Sequence, residues 1–217
     1  MESIDTELAA RIRNDIVLGN YGEEERISEV QLCNTHKVSR TPVRLALRML
    51  EHEGLIRRSE GRGYFVNAPK VNDVLQAVQV RGHLESLAAR LMAQSPDRHN
   101  ALLILEAAIE EIDKLVLIGK MDPASIRLMQ KQNAVFHKTI LDYCGNDFIG
   151  FTCKRISHMP MLEVGAMVFD RQVLSTKEGI ERSNFRLKLG NSQHKVIFEA
   201  IQNGDPVRAE GVMREHS

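Results

Sequence analysis

The sequence predicts a mainly α-helical protein with two parts, a small N-terminal module and a larger antiparallel helical bundle. Glycine and proline together make up only 20 of the 217 residues, and strong helix formers recur at helical spacing along most of the chain. Aromatic residues are scarce, at 5%, and tryptophan is absent. The segments are short and interrupted before Asn67 but long and amphipathic after it, so we expect domains at residues 1–69 and 70–217.

The N-terminal module is expected to contain three short helices and a β-hairpin. An apolar stripe, a capping serine at Ser28 and a proline in a first turn at Pro42 indicate the helices. Val43, Leu47 and Leu50 are predicted to form the buried side of the third helix. Two short strands enclose a glycine-containing loop. The helices are predicted at residues 5–18, after Ser28 and at 39–51, and the strands at 55–58 and 64–66.

This order of elements predicts a winged helix-turn-helix, a module that places its second motif helix in the major groove of DNA. The charge distribution agrees with that prediction. The whole chain is neutral, with 29 basic and 29 acidic residues, whereas residues 37–62 carry seven basic and three acidic side chains, a local net charge of +4. Phosphate groups of double-stranded DNA can therefore be attracted to this region alone.

Three arginines follow one another at intervals of four residues on the third helix. Arg40, Arg44 and Arg48 share one helical face, opposite the predicted buried side. Such a line is often only a solvated surface, but the preceding helix and the Gly-Arg-Gly loop favour DNA contact. Arg40 and Arg44 are expected to read bases, because a guanidinium group can make two parallel hydrogen bonds to guanine. Ser39, Thr41 and Arg62 are expected to contact phosphates.

Three sequence strings in this module resemble the GntR family of bacterial transcription regulators. They are SRTPVR at residues 39–44, EGLI at 53–56 and RGYFV at 62–66. The resemblance implies that Arg40 and Arg44 read bases and that Gly63 is the wing glycine, with Arg62 beside it. The family usually has glutamate where Leu45 stands, a change that bears on how the arginines are held.

From Val71 onward, the sequence predicts six or seven long helices that pack as an antiparallel bundle. Clusters of glycine, asparagine and proline separate the amphipathic stretches. The helices are predicted at residues 71–95, 98–118, 124–144, 147–172, 178–189, 192–203 and 206–217.

Four polar residues in the bundle are spaced so that they can converge. Asn133 and His137 lie one turn apart on one face, and His194 and His216 flank the turn at residues 204–206 at nearly equal distances. Three imidazoles and an amide oxygen suit a divalent ion, zinc first and nickel or cobalt as alternatives. An inward histidine is more often an ordinary core residue, so spacing alone leaves the two interpretations about equal.

The second block resembles the FCD ligand-binding domain of FadR-like GntR regulators. The residues that carry the resemblance include Arg81, Leu84-Glu85, Phe136-His137, His194 and His216. It implies that Asn133, His137, His194 and His216 bind a divalent metal ion, although the family more often has aspartate at the first position, so neutral Asn133 should weaken binding. Arg81 is expected to bind the carboxylate of a small organic acid. A surface ion pair between Arg81 and Glu85 is about as compatible with the spacing.

Together these features predict a homodimeric, ligand-responsive regulator, a repressor that binds a palindromic operator and is not an enzyme. A metal-dependent hydrolase built on the histidines is an alternative, but the sequence has no HExxH motif. A regulator that senses the metal itself is a second alternative. The absence of a long apolar stretch and the polar first 20 residues lead us to expect a cytoplasmic protein without membrane contact.

Overall fold

The computed structural model describes residues 3–17, 19–59, 63–67, 71–156, 174 and 176–217. These residues form two compact units, one with the described residues up to Val74 and the other with those from Leu75 onward. The fold is mainly α-helical, as predicted, with a small antiparallel sheet in the first unit.

The first unit combines three helices with a sheet in the strand order β1, β3, β2. The three predicted helices and the predicted hairpin are confirmed. The sequence does not predict β1, because two residues are too few to show an alternating pattern. The elements are α1 (Ile4–Val17), β1 (Arg26–Ile27), α2 (Glu29–His36), α3 (Arg40–His52), β2 (Ile56–Ser59) and β3 (Gly63–Val66).

The core of the first unit determines which side of α3 faces solvent. Val43, Leu47 and Leu50 are fully buried, as predicted, and they share a core with Ile12 of α1. Ser28 caps α2 as predicted, because its hydroxyl accepts a hydrogen bond from a backbone N–H in the first turn of that helix. The arginines on the opposite side of α3 are thereby directed outward.

The second unit is built mainly from long helices, and the connections that the structure describes in full are short. Pro96–Ala101 forms a 3₁₀ turn, so the α-helix predicted from residue 98 begins only at Leu102. The helix predicted at 147–172 is described as far as Ile156, and the rest of that prediction lies outside the described residues. The helices are α4 (Val71–Gln94), α5 (Leu102–Ile118), α6 (Pro123–Tyr143), α7 (Asp147–Ile156), α8 (Lys177–Gln202) and α9 (Pro206–His216).

The predicted break at Gly190-Asn191 is wrong, because α8 runs through both residues without interruption. One glycine inside a helix costs only about 1 kcal/mol, which packing can offset. Asn191 is buried and donates a hydrogen bond to the Ile109 carbonyl at 3.1 Å. A Cβ atom at Gly190 would lie 3.7 Å from the ring of His216. Tertiary contacts on both sides therefore stabilise this part of α8.

The bundle core includes the region where α5, α6, α8 and α9 pack together. α5 packs against α6 and α8, and α8 packs against α9. Phe136, Ile140, Ile197 and Met213 are fully buried within this core. Among the described helices, none combines the length and the apolar character that a bilayer crossing requires.

Candidate functional site

The outer side of α3 presents a group of polar side chains to solvent. Arg40, Arg44 and Arg48 are exposed there, and Ser39 and Thr41 are exposed at the N-terminal end of the helix. Ser39 is the N-cap residue by its backbone conformation but makes no side-chain capping bond. Five of the seven residues predicted to contact DNA therefore lie on one accessible surface.

Arg44 is held by a carboxylate that the sequence analysis does not identify. Its Nε donates to Glu29 Oε2 at 3.0 Å, and Glu29 lies in the first turn of α2. The hydrogen bond to Glu29, together with its charge, raises the pKa of Arg44 above the ordinary value. Leu45, which stands where the resembled family usually has glutamate, is 43% exposed, and the carboxylate comes from the neighbouring helix instead.

The hairpin contains Gly63, one of the two remaining residues that the sequence predicts to contact DNA. Gly63 begins β3 with a φ of +92°, a backbone conformation that residues other than glycine rarely adopt. The exposed guanidinium of Arg26, on β1, lies close by, since a Cβ atom at Gly63 would be 3.6 Å from its Nε. Arg26 adds a cation beside the wing that the sequence analysis does not predict. Arg62 lies outside the described residues.

Three imidazole rings converge inside the second unit. Nε2 of His216 lies 3.2 Å from Nε2 of His137 and 3.0 Å from Nε2 of His194. Ligand atoms of all three lie within 4.8 Å of one another. His137 lies on α6, His194 on α8 and His216 on α9. The side chains of His137 and His194 are buried. Asn133, one turn before His137, is also buried, and it lines one cavity together with the three histidines.

Each imidazole also has an oxygen acceptor on its other nitrogen. Nδ1 of His137 donates to Glu85 Oε2 at 2.7 Å. Because a carboxylate only accepts, the proton of His137 belongs on Nδ1. Nδ1 of His216 lies 3.1 Å from Gln193 Oε1. Such outer partners orient metal-binding histidines and increase their basicity.

The acceptor for His194 is itself fixed in orientation. The Asn191 amide nitrogen donates to the Ile109 carbonyl and, at 2.8 Å, to the Asp113 carboxylate. Its oxygen therefore faces His194 Nδ1, at 3.2 Å. With all three Nδ1 atoms protonated, each Nε2 keeps its lone pair, and the Nε2 atoms of His137 and His194 both lie close to that of His216.

Burial keeps two of these imidazoles neutral. Burial, followed by the neighbouring imidazoles, lowers the pKa of His194 well below its ordinary value. Burial and then His137 lower the pKa of His216 to about 3. Burial alone would raise the pKa of Glu85, but the adjacent His137 and Arg81 outweigh it, and the net pKa is lowered. A neutral imidazole is the form that binds a metal ion.

The same shifts predict that acid destabilises the metal-free protein. In the unfolded chain, His194 and His216 bind protons below a pKa of about 6.5, whereas in the folded chain they stay neutral. The unfolded state then binds more protons, so the free energy of unfolding decreases as the pH falls from about 6.5 toward about 3. We expect a loss of about 2 to 3 kcal/mol between about pH 7.5 and about pH 5.5, measured by urea unfolding after chelation.

The control for this prediction separates the two histidines from other titrating groups. The H194Q/H216Q double variant should lose this part of the pH dependence. H99Q, which changes an exposed histidine, should keep it. A double variant that follows the wild-type pH curve would contradict the assignment.

A cavity of about 200 Å³ lies beside the imidazoles and has two cationic groups on its wall. Arg81 and Glu85 form an i,i+4 ion pair, with Arg81 Nε 3.2 Å from Glu85 Oε1, but both side chains are buried, so it is not the surface pair that the spacing left open as an alternative. Arg186 of α8 is the second cation. Such a volume suits a small anion rather than a large ligand. The apolar part of the wall comes from Ile112, Met129 and Leu187.

Sequence reasoning missed the outer acceptors, although two of them left a signal. Glu85 is a carboxylate within the apolar stripe of α4, where a charged residue needs a buried partner. Asn191 precedes His194 by three residues and so shares its helical face. Gln193 left no such signal, because its position beside His194 does not place it toward His216.

Two family models together match most of the chain. The model described as "Bacterial regulatory proteins, gntR family" matches residues 5–66. The model described as "FCD domain" matches residues 76–217.

Relatives and a solved structure agree with these matches. The HTH-type transcriptional regulator YdhC of Bacillus subtilis is 35% identical over 136 residues, which are 63% of this chain and 58% of YdhC. The HTH-type transcriptional repressor GlaR of Escherichia coli is 22% identical over 211 residues, covering 94% of this chain and 88% of GlaR. The match to the structure of E. coli McbR/YncC covers 100% of this chain and 94% of that protein's chain, with a TM-score of 0.62 and 16% identity. This match shows a likeness of fold.

Proposed function

Because the chain belongs to the GntR family of bacterial regulatory proteins and carries an FCD domain, it is a transcription regulator, and we propose that it represses genes by binding a palindromic operator as a homodimer. The repressor GlaR, which resembles nearly the whole chain, supports repression. A dimer matches the two-fold symmetry of such operators. The domains divide between residues 69 and 70, and the protein acts on DNA in the cytoplasm.

The exposed arginine face of α3 is the observation that carries the DNA-binding proposal. Arg40 and Arg44 lie nearest the N-terminal end of α3, the part of a recognition helix that reads base edges. Arg48 and the other interface residues contact phosphates. The proposed interface consists of Ser39, Arg40, Thr41, Arg44, Arg48, Arg62 and Gly63.

Asn133, His137, His194 and His216 hold a divalent metal ion in this proposal, and zinc is favoured over nickel or cobalt. The donor set fits such an ion. Two nitrogens that each lie about 2.0 to 2.1 Å from zinc at a tetrahedral angle are about 3.3 Å apart, close to the observed 3.0 and 3.2 Å. Unprotonated Nε2 atoms this close repel one another unless they share a cation. The bound ion would supply open positions for a ligand carboxylate.

The effector of this proposal is a small organic acid in the cavity beside the imidazoles. Arg81 can bind its carboxylate with two hydrogen bonds, and the cavity volume admits a molecule of that size. Release of the operator requires the acid to bind the free protein more tightly than the operator-bound protein. By linkage, the operator must then weaken acid binding by the same factor.

Selection from random duplex DNA at moderate salt tests the function. The full-length protein should enrich a palindromic sequence, because two copies of α3 read related half-sites. An enriched sequence without two-fold symmetry would contradict the homodimer. Absence of any enriched sequence would contradict operator binding altogether.

Chelation in the same assay separates the alternatives for the metal. The proposal expects operator binding to persist after metal removal, while response to organic acid is lost. Release of the operator by chelation alone would favour the metal-sensing regulator. The matching families and relatives are regulators and not enzymes, so the hydrolase alternative has no support.

A further inference from the structure

The geometry points to Glu85 as a coupling residue between the anion site and the metal site, such that engaging Arg81 with an anion strengthens metal binding through His137. This inference rests on the proposed function, because it takes the imidazole cluster as the metal site and Arg81 as the anion contact. It adds a specific regulatory link between two sites that would otherwise act separately.

Glu85 divides its two carboxylate oxygens between the two sites. Oε2 accepts from His137 Nδ1 at 2.7 Å, and Oε1 lies 3.2 Å from Arg81 Nε. The Glu85 side chain is only 2% exposed and the Arg81 side chain 10%. The hydroxyl of Ser217 is a more distant contact, at 3.5 Å from Oε2. With so little water nearby, each partner of the carboxylate affects its interaction with the other.

The direction of the effect follows from charge. The Arg81 guanidinium stabilises negative charge on Glu85 and so weakens the carboxylate as an acceptor for His137. An anion that pairs with Arg81 reduces this competition. The Glu85 hydrogen bond to Nδ1 then strengthens, and the opposite nitrogen, Nε2, becomes a better metal ligand.

Only one of the three imidazoles in the described cluster has a charged acceptor. The Nδ1 atoms of His194 and His216 are bonded to the neutral amides of Asn191 and Gln193. A change at Arg81 therefore reaches the cluster through Glu85 more strongly than through either amide. Because coupling is reciprocal, metal binding at His137 should also favour an anion at Arg81.

A double-mutant cycle with zinc alone tests the inference without requiring the effector. Zinc affinity is measured by competition with a chromophoric chelator for wild type, R81Q, E85Q and R81Q/E85Q. R81Q removes the guanidinium and so imitates its neutralisation by a bound anion. This variant should raise zinc affinity by about fivefold or more. E85Q should lower it by about 10- to 100-fold, and R81Q should have little effect in the E85Q background.

Arg186 provides the matched control, because it is a second cation on the wall of the same cavity. R186Q acts on the ion only through space, so any effect should be the same with Glu85 and with glutamine at that position. If R81Q also raises the affinity equally in both backgrounds, its effect is a direct field effect and the coupling role is wrong. A wild-type protein that binds no zinc would instead contradict the proposed metal site.

A spectroscopic measurement covers the case in which R81Q weakens the fold. In the zinc-loaded protein, the His137 Nδ1–H proton resonance reports the strength of its bond to Glu85. A partial change such as R81K, which keeps the charge but not the guanidinium geometry, should move this resonance downfield. R186K should leave it in place, and an unmoved resonance in R81K would overturn the inference.

Discussion

His194→Ala is expected to lower zinc affinity by at least about 100-fold, more than the loss of an outer partner costs. The variant removes one of three converging nitrogens and leaves Nε2 of His216 without its neighbour at 3.0 Å. His194 is 2% exposed and its ring packs against Phe136, so alanine also leaves a cavity. The measurement is metal content per protomer by native mass spectrometry, together with chelator competition.

Two controls keep this loss distinct from unfolding. H194Q retains most of the side-chain volume but offers no imidazole nitrogen, and it should show the same loss of zinc. H99A changes an exposed histidine and should bind zinc as the wild type does. Zinc affinity within about twofold of wild type in H194Q would contradict the metal assignment.

Arg44→Ala is expected to reduce operator affinity by about tenfold to a hundredfold and to blur the preference at one base pair. Its guanidinium is the proposed partner of a guanine, and alanine cannot replace either hydrogen bond. Arg40→Ala should act similarly at a different base pair. Arg62→Ala should instead weaken binding to all sequences alike and reduce the salt dependence, as expected for a phosphate contact.

The ion pair with Glu29 complicates this prediction and also provides its control. Removing Arg44 leaves the Glu29 carboxylate without its ion-pair partner on the surface proposed to face DNA, where it would repel phosphates regardless of sequence. The double variant E29Q/R44A removes that repulsion, so its binding to unrelated DNA should recover while base discrimination stays lost. Recovery of discrimination as well would mean that Arg44 does not read a base.

Local sequence features were sufficient for most of the fold. Ser28 and the apolar repeat around Leu47 predict helices that the structure contains, because capping and amphipathicity depend on residues a few positions apart. The errors arise where distant contacts outweigh local signals. Gly190 indicated a break, but buried Asn191 and the adjacent ring of His216 stabilise a continuous helix.

The candidate site was also predictable in part, because residue spacing along a helix determines where its side chains lie. Spacing along helices placed His194 and His216 at similar heights on neighbouring helices, and the structure brings their Nε2 atoms together. Spacing could not identify Glu85 as the acceptor for His137, since the two residues are separated by 52 positions. It likewise offered an Arg81–Glu85 pair only as a surface alternative, whereas packing of the bundle buries that pair.

Periodicity and turn chemistry within each segment were enough to specify the succession of short helices, hairpin and long amphipathic helices, and the outward line of arginines on α3. The tertiary structure alone decided which nitrogens converge, which oxygens orient them, and that Arg44 pairs with Glu29. Those outcomes depend on how separate helices pack against one another, and periodicity within one segment carries no information about that packing.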